Sequence, residues 1–250
     1  MATLHFILQG KGGVGKSMIA SLLYQYLDAK GLTVIGIDTD PVNHTLASYR
    51  DFNVQTLDVM QDGKIDSRKW DLLLEGICEA PDDAHVLIDN GASSFVELTA
   101  YMKEMDMINA MNALGHDVIV HTLITGGQAL KDTNDNLVRL CMFMPETPLV
   151  VWLNPFFGEI EMDGKKFEEF KSFREFSDHF RAVLRLPTGN RDTLGKDLEE
   201  LFAKRMPFKT ALDKTSQVHR AVKMRLTIFW RKFVDLVDIA GLAPSPEKDA

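Results

Sequence analysis

The most constraining feature of this sequence is a glycine- and lysine-rich octapeptide close to its N-terminus. Residues 10–17 read Gly-Lys-Gly-Gly-Val-Gly-Lys-Ser and satisfy the phosphate-loop pattern G-x-x-x-x-G-K-[ST]. The apolar run from Leu4 to Leu8 predicts a strand before the octapeptide, and a helical apolar period begins after it at Ile19. A glycine-rich turn with an incidental lysine is the alternative interpretation. The flanking strand and helix are the context that the mechanism requires, and they favour a phosphate-binding loop.

The chemistry of such a loop gives a task to each kind of residue in it. Glycines let backbone N–H groups curl around a phosphate, and the helix that follows adds its dipole. Lys16 supplies a point charge to the outer phosphates, and Ser17 offers a hydroxyl to Mg²⁺. The predicted nucleotide-binding residues of this segment are Gly10, Lys11, Gly12, Gly13, Val14, Gly15, Lys16, Ser17 and Met18.

Strand and helix patterns alternate along the chain and predict the fold class. Besides the first strand, apolar runs predict strands at 34–37, 86–88, 118–120, 149–153 and 182–186. Helical periods lie near 19–26, 70–77, 96–114 and 129–143, and a further helix is predicted around Phe167, Phe170, Phe173 and Phe176, a stripe typical of core or dimer packing. The alternation predicts an α/β fold with a doubly wound, mostly parallel sheet and helices on both faces.

No repeat and no linker interrupts this pattern, so we expect a single domain over residues 1–242. An amphipathic helix is predicted over about residues 215–240. Its basic residues are Arg220, Lys223, Arg225, Arg231 and Lys232. Contact with DNA, an anionic membrane or an acidic partner is one interpretation of this helix, and a terminal helix packed on the core with solvated charges is the favoured one. Residues 243–250 are expected to be disordered.

Composition disfavours several classes of function. The chain has 28 Lys and Arg against 36 Asp and Glu, and the net charge of −8 disfavours bulk binding to a nucleic-acid backbone. Cys78 and Cys141 fit neither a disulfide framework nor a zinc site, and both are expected to be buried in helices. No apolar run suits a transmembrane helix and no secretory signal is recognisable, so we expect a cytoplasmic location, with peripheral membrane contact left open.

Three carboxylates follow predicted strands. Asp38 and Asp40 are one residue apart in Asp-Thr-Asp-Pro, so an extended backbone points both to the same side, towards Mg²⁺ and the water at the γ-phosphate. A strand-ending turn is the alternative for these four residues. Asp89 ends the run Val86 to Ile88 in a Walker B pattern, which delivers one carboxylate to the metal at the carboxyl edge of the sheet.

Lys11 gives the octapeptide a second lysine where an ordinary phosphate loop needs one. In this the chain resembles the deviant Walker A ATPases of the ParA/MinD family, which are SIMIBI-like P-loop NTPases. The resemblance implies that Lys11 reaches the nucleotide of the partner subunit in an ATP-bound homodimer. It also implies that Asp40 orients or activates the attacking water and that Asp38 holds a water of the Mg²⁺ shell. The resulting sets are Lys11, Lys16 and Asp40 as catalytic residues, and Ser17, Asp38 and Asp89 as metal-site residues. For Lys11 alone, a solvated loop lysine is the alternative.

The same resemblance implies a site for the base. Asn154, after the predicted strand 149–153, corresponds to an asparagine that hydrogen-bonds the adenine edge. Pro187 matches the place where backbone packs against the base, or else simply ends a strand. No guanine-reading Asn-Lys-x-Asp string occurs in the sequence, so ATP with Mg²⁺ is the expected cofactor rather than GTP. The family commonly has a proline after the Walker B aspartate, whereas this chain has Asn90 and Gly91, and we assign no catalytic role there.

Within the family, the string M-x-x-x-H-x-x-L-Q-G-K-G-G-V-G-K-S followed by I-D-T-D-P-V-N is most similar to the TraL-type branch found in conjugative plasmid transfer operons. The partitioning branch usually has D-P-Q in this region, whereas this chain has Pro41, Val42 and Asn43. The resemblance implies a slowly hydrolysing, ATP-driven dimeric switch whose partner is a protein of a plasmid transfer system. A metabolic P-loop enzyme, such as an amide ligase or a small-molecule kinase, is the alternative function.

Overall fold

A computed structural model describes residues 1–243 and has a seven-stranded sheet at its centre. The strands of this range are β1 (Thr3–Ile7), β2 (Val34–Asp38), β3 (Val54–Thr56), β4 (Met60–Gln61), β5 (Lys64–Ile65), β6 (His85–Asp89), β7 (Asp117–Thr125), β8 (Leu149–Asn154), β9 (Glu161–Met162), β10 (Lys165–Lys166) and β11 (Phe180–Arg185). The order across the sheet is β11-β8-β7-β1-β6-β2-β3, and the pairings from β8 to β3 are parallel. The remaining four strands form two antiparallel hairpins, β4 with β5 and β9 with β10.

Helices connect most successive strands of the sheet, and three more follow β11. They are α1 (Lys16–Ala29), α2 (Lys69–Cys78), α3 (Phe95–Glu104), α4 (Met107–Ala113), α5 (Leu130–Phe143), α6 (Lys171–Phe176), α7 (Lys196–Ala203), α8 (Phe208–Leu212) and α9 (Arg220–Ile239). One large core joins α2, α3, α4 and α5 to alternate residues of the strands, such as Leu4, Phe6 and Val86. The buried residues of α1 lie outside this core, and α1 contacts β1, β2 and β6. The predicted doubly wound α/β fold is therefore confirmed.

The strand register brings the predicted carboxylates together. Asp38 pairs with Asp89 across β2 and β6, and Asp89 pairs with Ile7 at the end of β1. Because the strands are parallel, all three residues lie at the same carboxyl edge of the sheet. The octapeptide leaves β1 at this edge.

The chain divides into two compact units, residues 1–183 and the chain from residue 184 onward. This division does not decide how many domains the chain has, so one domain over residues 1–242 stays a prediction. In the second unit, Phe208 of α8 stacks on Trp230 of α9 with ring centroids 4.9 Å apart. The expected disordered tail falls largely on residues 244–250, which lie outside the described residues.

The predicted C-terminal helix is present as α9, and its apolar stripe is buried at Leu226, Phe229, Phe233 and Val237. Two of its five basic residues have partners within the second unit. Arg225 Nη2 donates to Asp197 Oδ1 at 3.1 Å, and Lys223 Nζ donates to the backbone oxygen of Ser216 at 3.1 Å. Arg225 is thus paired with a carboxylate, whereas Lys223 keeps its positive charge beside a backbone oxygen. Among the described residues, no helix combines the length and the apolar character needed to cross a membrane.

Three local predictions are corrected. The helix predicted over 96–114 breaks into α3 and α4, because Asp106 adopts a left-handed conformation with φ 45°. The phenylalanine stripe is not one helix: Phe167 lies in a 3₁₀ turn before α6, although it is fully buried and packs in the core beside Phe170 and Phe173. Cys78 is exposed, because it is the last residue of α2 on the solvent side, whereas Cys141 is buried as expected.

Candidate nucleotide-binding site

The phosphate loop connects β1 to α1 and depends on glycine at two close contacts. Gly15 precedes α1 with φ 105°, a left-handed conformation that side chains disfavour. A Cβ at this position would lie 2.9 Å from Nδ2 of Asn154. A Cβ at Gly10 would lie 2.9 Å from a ring carbon of Phe95 at the start of α3. The backbone of the loop is therefore seated tightly between the ends of β8 and α3.

Lys16 lies at the start of α1 and is buried. Its Nζ donates to the backbone oxygen of Lys11 at 3.3 Å, across the curl of the loop. Burial lowers the pKa of Lys16, while Asp89 and Asp40 oppose that shift. The cation is thus held inside the loop with two carboxylates close enough to influence it.

Asp89 is buried at the end of β6, and within residues 1–243 neither of its carboxylate oxygens has a hydrogen-bond partner. Burial raises the pKa of Asp89 to about 7, and the nearby Ser17 hydroxyl and Lys16 act in the opposite direction. Ser17 lies close to the carboxylate without making a hydrogen bond of ordinary geometry. A buried carboxylate without partners is unfavourable in a folded protein unless a cation or a donor is supplied.

Asp38 and Asp40 organise the loop that follows β2. The buried carboxylate of Asp38 accepts from the backbone N–H of Asp40 at 3.1 Å and of Ala47 at 3.0 Å. Burial raises the pKa of Asp38, and these two hydrogen bonds lower it. Asp40 Oδ1 accepts from the N–H groups of Val42 and Asn43 at 2.9 and 3.1 Å. Asp38 and Asp40 therefore form a turn after β2, and they also lie near Asp89.

Residues that the sequence did not assign join the loops after β2 and β6. Asn90 is fully buried, and its Oδ1 accepts from the hydroxyls of Thr39 at 3.0 Å and Ser94 at 2.9 Å. A Cβ on Gly91 would lie 2.9 Å from Cγ of Asp40. The sequence did mark this junction, because Asn90 and Gly91 stand where the family commonly has a proline after the Walker B aspartate.

The two residues predicted to meet the base have different placements. Asn154 is buried at the end of β8, where its Nδ2 donates to the backbone oxygen of Val14 at 2.9 Å and its Oδ1 accepts from Phe156 N–H at 3.1 Å. It therefore joins the phosphate loop to the segment after β8, and contact with a base stays a prediction. Pro187 follows β11 in the second unit, and its role likewise stays a prediction.

Lys11 lies on the outer side of the loop and is partly exposed. Its Nζ is 2.7 Å from Oδ2 of Asp132, in the first turn of α5. The ion pair lowers the pKa of Asp132. In the single chain Lys11 is therefore a half-exposed loop lysine with an ion-pair partner, and its contact with a partner subunit's nucleotide stays a prediction.

These residues fit a nucleotide with Mg²⁺. Among the described residues, no group of three or more His, Cys, Asp and Glu side chains is placed to hold a metal by itself. Mg²⁺ keeps several waters and phosphate oxygens and needs only one or two protein ligands. The unpartnered carboxylate of Asp89, the hydroxyl of Ser17 and the glycine cradle supply that arrangement.

A family model described as the CobQ/CobB/MinD/ParA nucleotide binding domain matches residues 5–228. The chain belongs to this family. A protein named TraL from Escherichia coli is 40% identical over 243 residues, covering 97% of this chain and all of the relative. As a member of the CobQ/CobB/MinD/ParA family related to TraL, the chain is a nucleotide-binding protein of the P-loop NTPase class.

Solved structures of MinD proteins have the same fold. The chain aligns with MinD of the MinC:MinD complex from Aquifex aeolicus with TM-score 0.54 and 16% identity, covering 98% of both chains. It aligns with MinD from Pyrococcus horikoshii, complexed with Mg-ADP, with TM-score 0.50 and 15% identity, covering 98% of this chain and all of that one. At these identities the likeness concerns the fold.

Proposed function

We propose that this protein is an ATP-binding, slowly hydrolysing dimeric switch that acts in conjugative plasmid transfer. The relationship to TraL over nearly the whole chain supports the biological setting. The observation that carries the chemistry is Asp89: a buried carboxylate without a hydrogen-bond partner among the described residues, aligned with Asp38 and close to Lys16. That arrangement is unfavourable when empty and is balanced by a magnesium-bound phosphate.

Each residue at the edge of the sheet has a task in this proposal. Lys16 neutralises charge on the outer phosphates, and Ser17 and Asp89 hold Mg²⁺, which supplies further charge neutralisation when bound. Asp38 holds a water of the metal shell. Asp40 orients the water that attacks the γ-phosphorus, so that the bond to the ADP oxygen breaks and phosphate leaves. Asn154 lies next to the adenine edge.

The dimer is formed through Lys11. In the single chain its Nζ is paired with Asp132, and in the ATP-bound homodimer it exchanges that contact for the nucleotide of the partner subunit. Both side chains are about half exposed, at 44% and 50%, so the pair is accessible to an approaching second copy. Closing with ATP and opening after hydrolysis gives two states that a protein partner of the transfer system distinguishes. The neighbour in complex with MinC is one case of a protein of this fold bound to a partner.

Light scattering of the purified chain with Mg-ATP or Mg-ADP tests the proposal. Wild type should double its mass with ATP only, Asp40→Ala should stay dimeric because hydrolysis is blocked, and Lys16→Ala and Lys11→Ala should stay monomeric. A Lys11→Ala dimer formed at the wild-type ATP concentration would contradict the role of that lysine. A metabolic enzyme, the alternative, would release ADP only with a second substrate and would not dimerise with ATP.

A further inference from the structure

Asn90 occupies a buried junction between the two loops that carry the site's carboxylates. Thr39, whose hydroxyl donates to Asn90 Oδ1 at 3.0 Å, lies between Asp38 and Asp40 in the loop after β2. Ser94, whose hydroxyl donates to the same oxygen at 2.9 Å, immediately precedes α3. All three side chains are 0% exposed, so water does not compete for these hydrogen bonds.

The orientation of the amide follows from its other contact. Asn90 Nδ2 donates to the backbone oxygen of Gly91 at 3.0 Å. A flipped amide would place two oxygens against each other there, so the nitrogen belongs next to Gly91 and the oxygen next to the hydroxyls. One acceptor atom is therefore shared by donors from two different loops.

We infer that Asn90 is a positioning residue that couples the loop after β2 to the start of α3. This inference rests on the proposed function and deepens it. A displacement of Asp38 or Asp40 by the nucleotide moves Thr39, and the shared oxygen passes that displacement to Ser94 and α3.

Two packing contacts connect the Asn90 junction to the nucleotide site. The Gly91 backbone lies so close to Asp40 that an added Cβ would be 3.0 Å from Asp40 Cα. At the start of α3, Phe95 packs on Gly10 of the phosphate loop. The start of α3 thus touches the nucleotide loop directly and the first carboxylate loop through Asn90. Removing the hydroxyl of Thr39 or of Ser94 should leave the phosphate loop intact. ATP should still bind, but hydrolysis or dimerisation should be impaired.

The test compares Thr39→Val and Ser94→Ala with their conservative partners Thr39→Ser and Ser94→Thr. Thr122→Val is the matched control, because Thr122 is equally buried and its hydroxyl has no partner among residues 1–243. Three quantities are measured for each full-length variant: the Kd for Mg-ATP, the kcat of ATP hydrolysis, and the ATP concentration that gives half-maximal dimer.

The inference expects Thr39→Val and Ser94→Ala to keep the Kd within about threefold while kcat or dimerisation falls about tenfold. Thr39→Ser, which keeps the hydroxyl, should behave as wild type. The double variant should lose no more than the worse single variant, because both hydroxyls act through one atom. Three results would each overturn the inference. The single variants could match Thr122→Val, the losses could multiply in the double variant, or the Kd could weaken by as much as kcat falls. Absence of ATP binding and dimerisation in the wild type would instead refute the proposed function.

Discussion

Lys11 Nζ lies 2.7 Å from Asp132 Oδ2 of the same chain, so the lysine expected to act on a partner's nucleotide is ion-paired in the single chain. The pair joins the phosphate loop to the first turn of α5, where a carboxylate is also favoured by the helix dipole. The proposed dimerisation through Lys11 would therefore compete with an internal contact.

Removing that competitor should favour the dimer. Asp132→Asn frees Lys11 without changing the shape of the side chain at position 132. We therefore expect half-maximal dimerisation at a lower ATP concentration than in wild type. The decrease should be at most about fivefold, because exposed ion pairs are weak. Asp135→Asn, an exposed carboxylate one turn away on α5, is the control and should behave as wild type. Weaker dimerisation of Asp132→Asn would mean that the aspartate supports the dimer rather than opposing it.

Gly10 should tolerate no side chain. Gly10→Ala places a methyl group 2.9 Å from Phe95 and 3.2 Å from Asn136, both buried, and we expect a loss of about 1–3 kcal/mol in the free energy of unfolding. Gly12→Ala is the control, since its Cβ would meet only Ala92, at an ordinary 3.7 Å. Urea unfolding checks both variants. Equal stability of the two would contradict the close contact between the loop and α3.

The elements most accessible to sequence reasoning were those set by local patterns and strand direction. The pattern around Gly10 to Ser17 predicted strand, loop and helix, and parallel pairing then placed Asp38 beside Asp89. The contact of Lys11 with Asp132 and the junction at Asn90 depend on side chains from distant segments, which no local pattern specifies.

Two missed hairpins did have a local signal. Asp62 with Gly63, and Asp163 with Gly164, have φ values of 51° and 75°, and of 53° and 73°. Asp-Gly pairs with positive φ are typical of two-residue hairpin turns. The flanking strands are only two residues long, so apolar alternation could not mark them.

A chain of buried histidines should make the fold sensitive to acid. Trp152 Nε1 donates to His121 Nδ1 at 3.0 Å, so the proton of His121 lies on Nε2, towards His5 Nδ1 at 3.0 Å. His5 Nε2 then faces His85 Nδ1 at 2.9 Å. Burial is the main cause that lowers the pKa of His5 and His85, and it lowers that of His121 to about 3.

The sign of the effect follows from these directions. The unfolded chain binds protons at these three histidines below about pH 6.5, whereas in the folded chain their lowered pKa values keep them neutral, so stability is lost as the pH falls. We expect the free energy of unfolding to drop by about 1 kcal/mol per buried histidine between pH 7.5 and 5.5. His5→Gln should reduce this dependence, and His219→Asn, at an exposed site, should retain it. Unchanged stability across this range would contradict the neutral histidine chain.

The two cysteines should differ sharply in reactivity. Cys78 is exposed, whereas Cys141 lies in the core, where burial raises the pKa of its thiol to about 12. A thiol reagent should therefore label one cysteine per native chain, and Cys78→Ser should abolish that labelling until the chain is denatured. Labelling of native Cys78→Ser at the wild-type rate would show that Cys141 is accessible.

Calorimetric titration with Mg-ATP tests most directly whether the loop between β1 and α1 binds a nucleotide. We expect saturable binding of about one ATP per chain for wild type and for Lys232→Ala, an exposed lysine on α9, and at least about tenfold weaker binding for Lys16→Ala. Wild-type protein that takes up no adenine nucleotide, or Lys16→Ala that binds as tightly as wild type, would contradict this expectation.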